Sequence, residues 1–357
     1  MDHFSPSAAC AEFAADLSYD SIPPEALDLI RRDILDWTGC ALAGSRDRAA
    51  VPIQKTAELL GGKAEASVFG NRDKTDLRTA AMENGYFGHI FEMDDVDRES
   101  ISHPATVVMP GAMALGEWQK KTGRDVLTAI VAGFEVMLRI GAAITPAHYA
   151  IWHTTSTAGV FGAAAASGRM LGLTNQQMQW ALGNAGTLAC GLWQFNPDGA
   201  MSKFLHAGNA AGNGILVSLM AQNGFSGATH ILEGKQGFFA GYARQSVNFD
   251  LFRDFGRVWR SAIPAAGTRI PRLTPRSRSV SSSRATRVTR SVISRFTRTA
   301  QRFPSQGRPR PLRAGMPSFR FPTASRARFS AARLLKRLSL RTRYPIRRFP
   351  VCSPAQK

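Results

Sequence analysis

Every acidic residue of this 357-residue chain lies at or before Asp254, and that segregation limits what the chain can fold into more than any other feature. Residues 255–357 carry 24 Arg and 2 Lys with no Asp or Glu. Subtracting that +26 from the formal +19 leaves −7 for the first 254 residues, so the basic balance belongs to the tail and not to the body. Two dozen arginines without a counter-charge repel one another and oppose compaction. Eleven of the 19 prolines also fall there, which argues against long regular structure. The sequence therefore divides at 254/255. Residues 1–254 can bury a core, and residues 255–357 read as an Arg/Ser/Pro-rich tail, disordered by composition.

Within the body the hydrophobic pattern is helical. Leu27, Ile30, Ile34 and Trp37 recur at three and four residues after Pro23-Pro24, which predicts a core helix over 23–44 with no role in a site. Helices are also predicted over 5–17, 50–60, 75–88, 105–118, 123–144 and 174–188, with a short strand at 66–69. Glu135 and Arg139 are spaced for an i,i+4 pair. The small-residue run Ala163–Ala166 predicts close helix packing and burial. The fold class is mainly α.

The stretch most concentrated in chemistry runs from Asn84 to Pro110, NGYFGHIFEMDDVDRESISHPATVVMP. It gathers His89, Glu92, Asp94, Asp95, Asp97 and His103 between two apolar helices, and such groups are costly to bury unless they pair or meet a polar ligand. An acidic loop between helices is more often simply solvated. Two further stretches weigh against that reading. In Trp152-His153-Thr154-Thr155-Ser156-Thr157, hydroxyl residues before a small-residue helix predict a cap whose amides favour an anion. Met201-Ser202-Lys203-Phe204-Leu205-His206 follows a strong Asn196-Pro197-Asp198-Gly199 turn and offers a cation and an imidazole. Gly212-x-Gly214 has no preceding strand and no acid at the required distance, so no nucleotide cofactor is expected.

Cys10, Cys40, Cys190 and Cys352 lack metal-ligand spacing, and the chain opens without a basic, apolar signal segment, so the expectation is a reducing, cytoplasmic location. No run approaches ~18 uninterrupted apolar residues, and no membrane span is expected.

Four segments, HIFEMDDVDRESISHPATVVMPGAMALGE (89–117), WHTTSTAGVFGAAAASGRMLGL (152–173), ALGNAGTLACGLWQF (181–195) and DGAMSKFLHAGNAAGNGILVSLMAQNGFSGATHILEGKQGFF (198–239), resemble the MmgE/PrpD family. That family includes 2-methylcitrate dehydratases, cis-aconitate decarboxylases and epimerases of small dicarboxylates. The resemblance covers roughly residues 4–254 and implies a helical domain, with a smaller α+β lid domain supplied by later sequence. It further implies cytosolic, metal-independent lyases of di- and tricarboxylates without a cofactor, commonly homodimers through the helical domain.

Carried over by position, Asp94, His103, His153 and Lys203 are the catalytic candidates, and Asp95, Thr154, Ser202 and His206 the substrate-binding ones. Lys203 would bind a substrate carboxylate, His103 and His153 would move a proton or bind a carboxylate, and Asp94 would act as a base or orient a His. Glu92 stands where many relatives have Asp, and Val96 where Thr is common. Dehydration, decarboxylation and epimerisation all remain open.

The resemblance stops after Trp259, where relatives continue into the lid with a further Lys and a Tyr. Three readings fit the tail: a nucleic-acid-binding segment, a disordered interaction segment, or out-of-frame translation of a GC-rich gene. The Arg-to-Lys imbalance and the lack of acids favour the last. A nucleic-acid-binding protein built on a helical scaffold is the alternative function, discriminated by salt-titrated DNA binding of the full chain against residues 1–254.

Overall fold

The computed structural model describes residues 4–71, 73–257 and 259. The tail, with its expected disorder, its lid replacement and its frameshift reading, lies otherwise outside the described residues. What is described is mainly α. The elements are α1 (Pro6–Asp16), α2 (Pro24–Gly44), α3 (Val51–Leu60), α4 (Leu77–Gly88), α5 (Ala105–Trp118), α6 (Gly123–Ile144), α7 (Thr154–Thr157), α8 (Gly159–Leu171), α9 (Asn175–Thr187), α10 (Phe195–Asp198), α11 (Ser202–Gln222) and α12 (Phe238–Tyr242). The predicted strand at 66–69 shortens to β1 (Ala66–Ser67), paired antiparallel with β2 (Lys74–Thr75) in the register Ala66 to Thr75.

Local signals explain where several helices begin. The Asp76 carboxylate accepts from the Thr79 amide at the head of α4. Thr122 with Asp125, and Thr174 with Gln177, form reciprocal capping boxes on α6 and α9. The last helical carbonyls of α8 are satisfied as the chain turns left-handed at Gly172, φ 68°.

α8 is the central helix, packed against α5, α6, α9 and α11, while α4 packs on α2, α5 and α11. Small residues set the spacing. A Cβ on Gly133 of α6 would lie 2.6 Å from the Gly162 carbonyl oxygen of α8, and one on Gly214 of α11 would lie 2.4 Å from the Ala163 Cβ. The Ala163–Ala166 run is wholly buried, as its composition predicts. A larger residue at Gly162 would have to push two backbones apart, and overpacking of this kind costs about 1–3 kcal/mol.

α6 is the one described helix long and apolar enough to cross a membrane, although charged residues such as Glu135 and Arg139 interrupt its apolar run, and nearly all of it is buried within the helical body. Its Arg139 is fully buried and bonded to Glu135 at 2.9 and 3.1 Å, the predicted pair. Arg139 also reaches the Leu251 carbonyl and the Asp254 carboxylate, and lies over the Phe255 ring. Phe255 in turn stacks on Phe13 of α1, with Trp259 at 6.2 Å from the same ring. The contacts of α11 with α4 and α7 bring the C-terminal end of α4, the start of α7 and the first turns of α11 to one place.

Candidate active site

α4 ends by delivering His89 as its C-cap, and the chain turns back so that the Asp94 carboxylate meets the His89 ring. His89 Nδ1 lies 3.0 and 3.2 Å from the two Asp94 oxygens, and both residues are fully buried. The carboxylate therefore accepts from His89 Nδ1 and fixes the ring's orientation, while His89 Nε2 has no hydrogen-bond partner among the described residues. Burial acts to raise the Asp94 pKa, but the charge and hydrogen bond of His89, helped by His103, bring it below the usual carboxylate value.

Asp95 points the other way, accepting from the Ala105 amide at 3.0 and 3.2 Å at the head of α5. Asp97 closes its own turn by accepting from the Ser100 amide and hydroxyl, each at 2.7 Å. That turn is pinned by mutual backbone bonds between Asp97 and Ser102, which hold the next residue, His103, at the cleft.

His103 Nδ1 is 3.6 Å from Asp94 Oδ2, too long for a hydrogen bond but close enough for charge to matter. Its ring centroid is 4.7 Å from that of His89. Burial pushes the His103 pKa down to about 4, against the pull of Asp94 and with the help of His89 and Lys203.

The sequence Thr154-Thr155-Ser156-Thr157 does not cap a helix as its composition suggests. It forms α7 itself, with His153 at the N-cap and no side-chain capping bond. The hydroxyls instead act sideways. Thr155 Oγ1 accepts from the His103 amide at 3.2 Å, the Ser156 hydroxyl donates to the His206 carbonyl at 3.3 Å, and Thr157 Oγ1 meets His148 Nε2 at 2.7 Å. Three segments that carry histidines are thus stapled to one short helix.

His153 donates its backbone N–H to the Gly191 carbonyl at 2.8 Å, stacks on His89 at 5.7 Å and places its Nδ1 3.3 Å from His206 Nδ1. Burial, then the neighbouring His89 and Lys203, push its pKa well below 6.5. Burial and His89 hold His206 at about 4. Gly191, at φ 133°, is required here, because a Cβ would sit 2.9 Å from that of Ser156 and 3.4 Å from His206 Nδ1. Trp193, 4.9 Å from His153 and stacked on Phe195, forms an aromatic wall beside the imidazoles.

Lys203, in the first turn of α11, is mostly enclosed, and its ammonium pairs with Glu92 Oε2 at 2.7 Å on the rim. Asp94, His103, His153, Lys203 and His206 therefore come together. Ser202 lies in the same turn, half-buried, with no hydrogen bond to the cluster. Thr154 is buried with its hydroxyl unpartnered, and it is Thr155 that reaches His103.

Sequence reasoning also missed three contributors. His89 appears in the patch but not among the candidates, although it is the ring that Asp94 holds. Asp33 and Asp36 come from α2, which reads as core alone. Asp33 is fully buried with neither carboxyl oxygen bonded, and burial, then the charge of Asp36, push its pKa well up. Burial, then the charge of Asp94, raise Asp36 to about 6. Asp95 is raised by burial, then by Asp33 and Asp94. The sequence signal available was an aspartate at position 33, one residue before the apolar Ile34.

Residues 8–250 match the MmgE/PrpD N-terminal domain. The chain belongs to the MmgE/PrpD family. It is 33% identical over 240 residues to the cis-aconitate decarboxylase of Aspergillus terreus (strain NIH 2624 / FGSC A1156), covering 65% of this chain and 49% of that protein. It is 31% identical over 242 residues to the cis-aconitate decarboxylase-like protein oryM of Aspergillus oryzae, covering 65% and 50%. The human cis-aconitate decarboxylase is 30% identical over 229 residues, covering 60% and 46%. The chain spans about half the length of the curated relatives it matches.

In this MmgE/PrpD domain the cluster sets His103, His153 and His206, whose pKa values burial lowers, beside the Asp94 carboxylate and the Lys203–Glu92 ion pair. An anion placed beside such imidazoles would raise each ring's affinity for a proton. By donor type His89, Asp94 and His103 could also hold a metal ion, since one ligand atom from each lies within 4.8 Å of the others.

Proposed function

We propose that this chain carries the carboxylate-binding and proton-transfer half of a lyase acting on a small di- or tricarboxylate, with cis-aconitate decarboxylation the preferred reaction. The observation that carries the reading is the meeting of His103, His153 and Lys203 over the His89–Asp94 pair. The relatives named cis-aconitate decarboxylases support cis-aconitate over 2-methylcitrate in this reading. In the decarboxylation, the bond to the departing carboxylate breaks, its electron pair enters the adjacent carbon–carbon bond, and the allylic carbon takes up a proton. Lys203 would hold a remaining carboxylate. His103 or His153, protonated once the trianion is bound, would deliver the proton, and Asp94 would keep His89 oriented behind them. Asp95, through the head of α5, and His206, through its contact with His153, would shape the carboxylate-binding wall.

The groups that relatives carry beyond this domain bear on rate. A site lacking those groups would admit water, which weakens the electrostatic stabilisation of developing charge. The chain is therefore expected to bind the substrate but turn it over slowly. A homodimer through the helical body and a cytoplasmic location complete the proposal.

Incubating the chain with cis-aconitate, 2-methylcitrate and a chiral dicarboxylate, and following products by proton NMR, tests the reaction. Itaconate formation, reduced about a hundredfold or more by Lys203→Ala and by His103→Ala in a folded protein, is the expected result. Conversion of 2-methylcitrate without itaconate, or mutants at the wild-type rate, would overturn the assignment.

A further inference from the structure

We propose that Glu92 is an internal competitor for Lys203, standing where a substrate carboxylate would bind, so that Glu92 sets the affinity of the site for its ligand. The proposal rests on the reading of Lys203 as a carboxylate-binding group.

The geometry is specific. The Lys203 ammonium is 2.7 Å from Glu92 Oε2, with the Lys side chain 13% exposed and the Glu side chain 52% exposed. Lys203 is thus enclosed on the imidazole side, where its charge reaches His103 and His153, and closed off on the solvent side by one carboxylate. Glu92 also faces Tyr149, whose phenol is raised by burial first and by the Glu92 charge second.

Two features suit Glu92 to release. It is half in water, so swinging outward exposes little new charge. It also adopts a left-handed backbone, φ 51°, that residues other than glycine rarely take, and its N–H makes a long 3.4 Å bond to the His89 carbonyl. A carboxylate in water beside an ammonium forms a modest ion pair, strong enough to compete with a ligand and weak enough to be displaced. An incoming anion must both replace Glu92 on Lys203 and approach its negative charge.

The test is calorimetric titration of cis-aconitate into the full chain as wild type, Glu92→Gln, Lys203→Ala and the double variant, with circular dichroism to verify folding. Glu92→Gln should tighten binding roughly three- to tenfold, an ion pair's worth, and the gain should shrink to under about twofold when Lys203 is absent. Equal dissociation constants for wild type and Glu92→Gln would overturn the competition while leaving the substrate reading intact. The same gain in both backgrounds would overturn it too, since it would reflect general charge and not Lys203. Absence of cis-aconitate binding in every variant would instead remove the substrate reading, and this proposal with it.

Discussion

Replacing His103 by glutamine should flatten the acid side of the stability curve. His103 is 19% exposed and its pKa falls from 6.5 to about 4 on folding, chiefly because burial disfavours the charged ring. A histidine with a depressed folded pKa contributes stability that is present above the unfolded value and is lost as pH falls from about 6.5 towards 4. The full effect is roughly 3 kcal/mol, of which about 2 kcal/mol should be gone by about pH 5. His153 and His206 act in the same direction. Asp36, raised to about 6, and Glu83, raised to about 7, act in the opposite one, losing their contribution as pH rises. The curve of the protein as a whole therefore mixes signs, and the difference between variants isolates His103. Urea denaturation of wild type and His103→Gln at about pH 7.5, 6 and 5 should show the wild type losing about 2 kcal/mol relative to the variant. Parallel losses in the two proteins would refute the claim that His103 is held neutral by the fold.

Three further outcomes follow from the same cluster. Asp33→Asn should raise the denaturation midpoint above neutral pH, because Asp33 favours its protonated form when folded and its stability contribution is lost as pH rises; a lower midpoint there would show that Asp33 has a charged partner. Thr155→Val leaves the His103 amide without its acceptor and should cost about 1–3 kcal/mol by urea denaturation. Gly191→Ala puts a Cβ against Ser156 at a backbone angle of 133° and should cost about 1–3 kcal/mol by the same measurement, with a wild-type midpoint contradicting the close approach.

The helices were legible because their signals are local. Val126, Ile130, Phe134 and Met137 recur at helical spacing along α6, and the capping boxes at Thr122 and Thr174 involve only residues three positions on. The three stretches that hold the site could be found too, since histidines, acids and a lysine are conspicuous beside apolar helices. Their arrangement was less accessible. Asp33 sits next to an apolar stripe, and only the packing of α2 behind the 89–104 loop turns it into a buried acid near Asp95. The hydroxyls of 154–157 suggest a cap, a short-range use, whereas their partners lie on segments around positions 103, 148 and 206. Which of two adjacent threonines meets His103 depends on the phase of α7, which four residues do not reveal.

The central claim is that a polycarboxylate lands among these imidazoles beside Lys203. The measurement that tests it most directly is nitrogen-15 NMR of histidine-labelled full chain titrated with cis-aconitate near neutral pH. The account predicts that ring-nitrogen signals assigned to His103 or His153 move from the neutral towards the protonated pattern as the trianion binds, and that Lys203→Ala suppresses the change. Imidazole signals that stay neutral at saturating cis-aconitate, or that respond identically without Lys203, would contradict it.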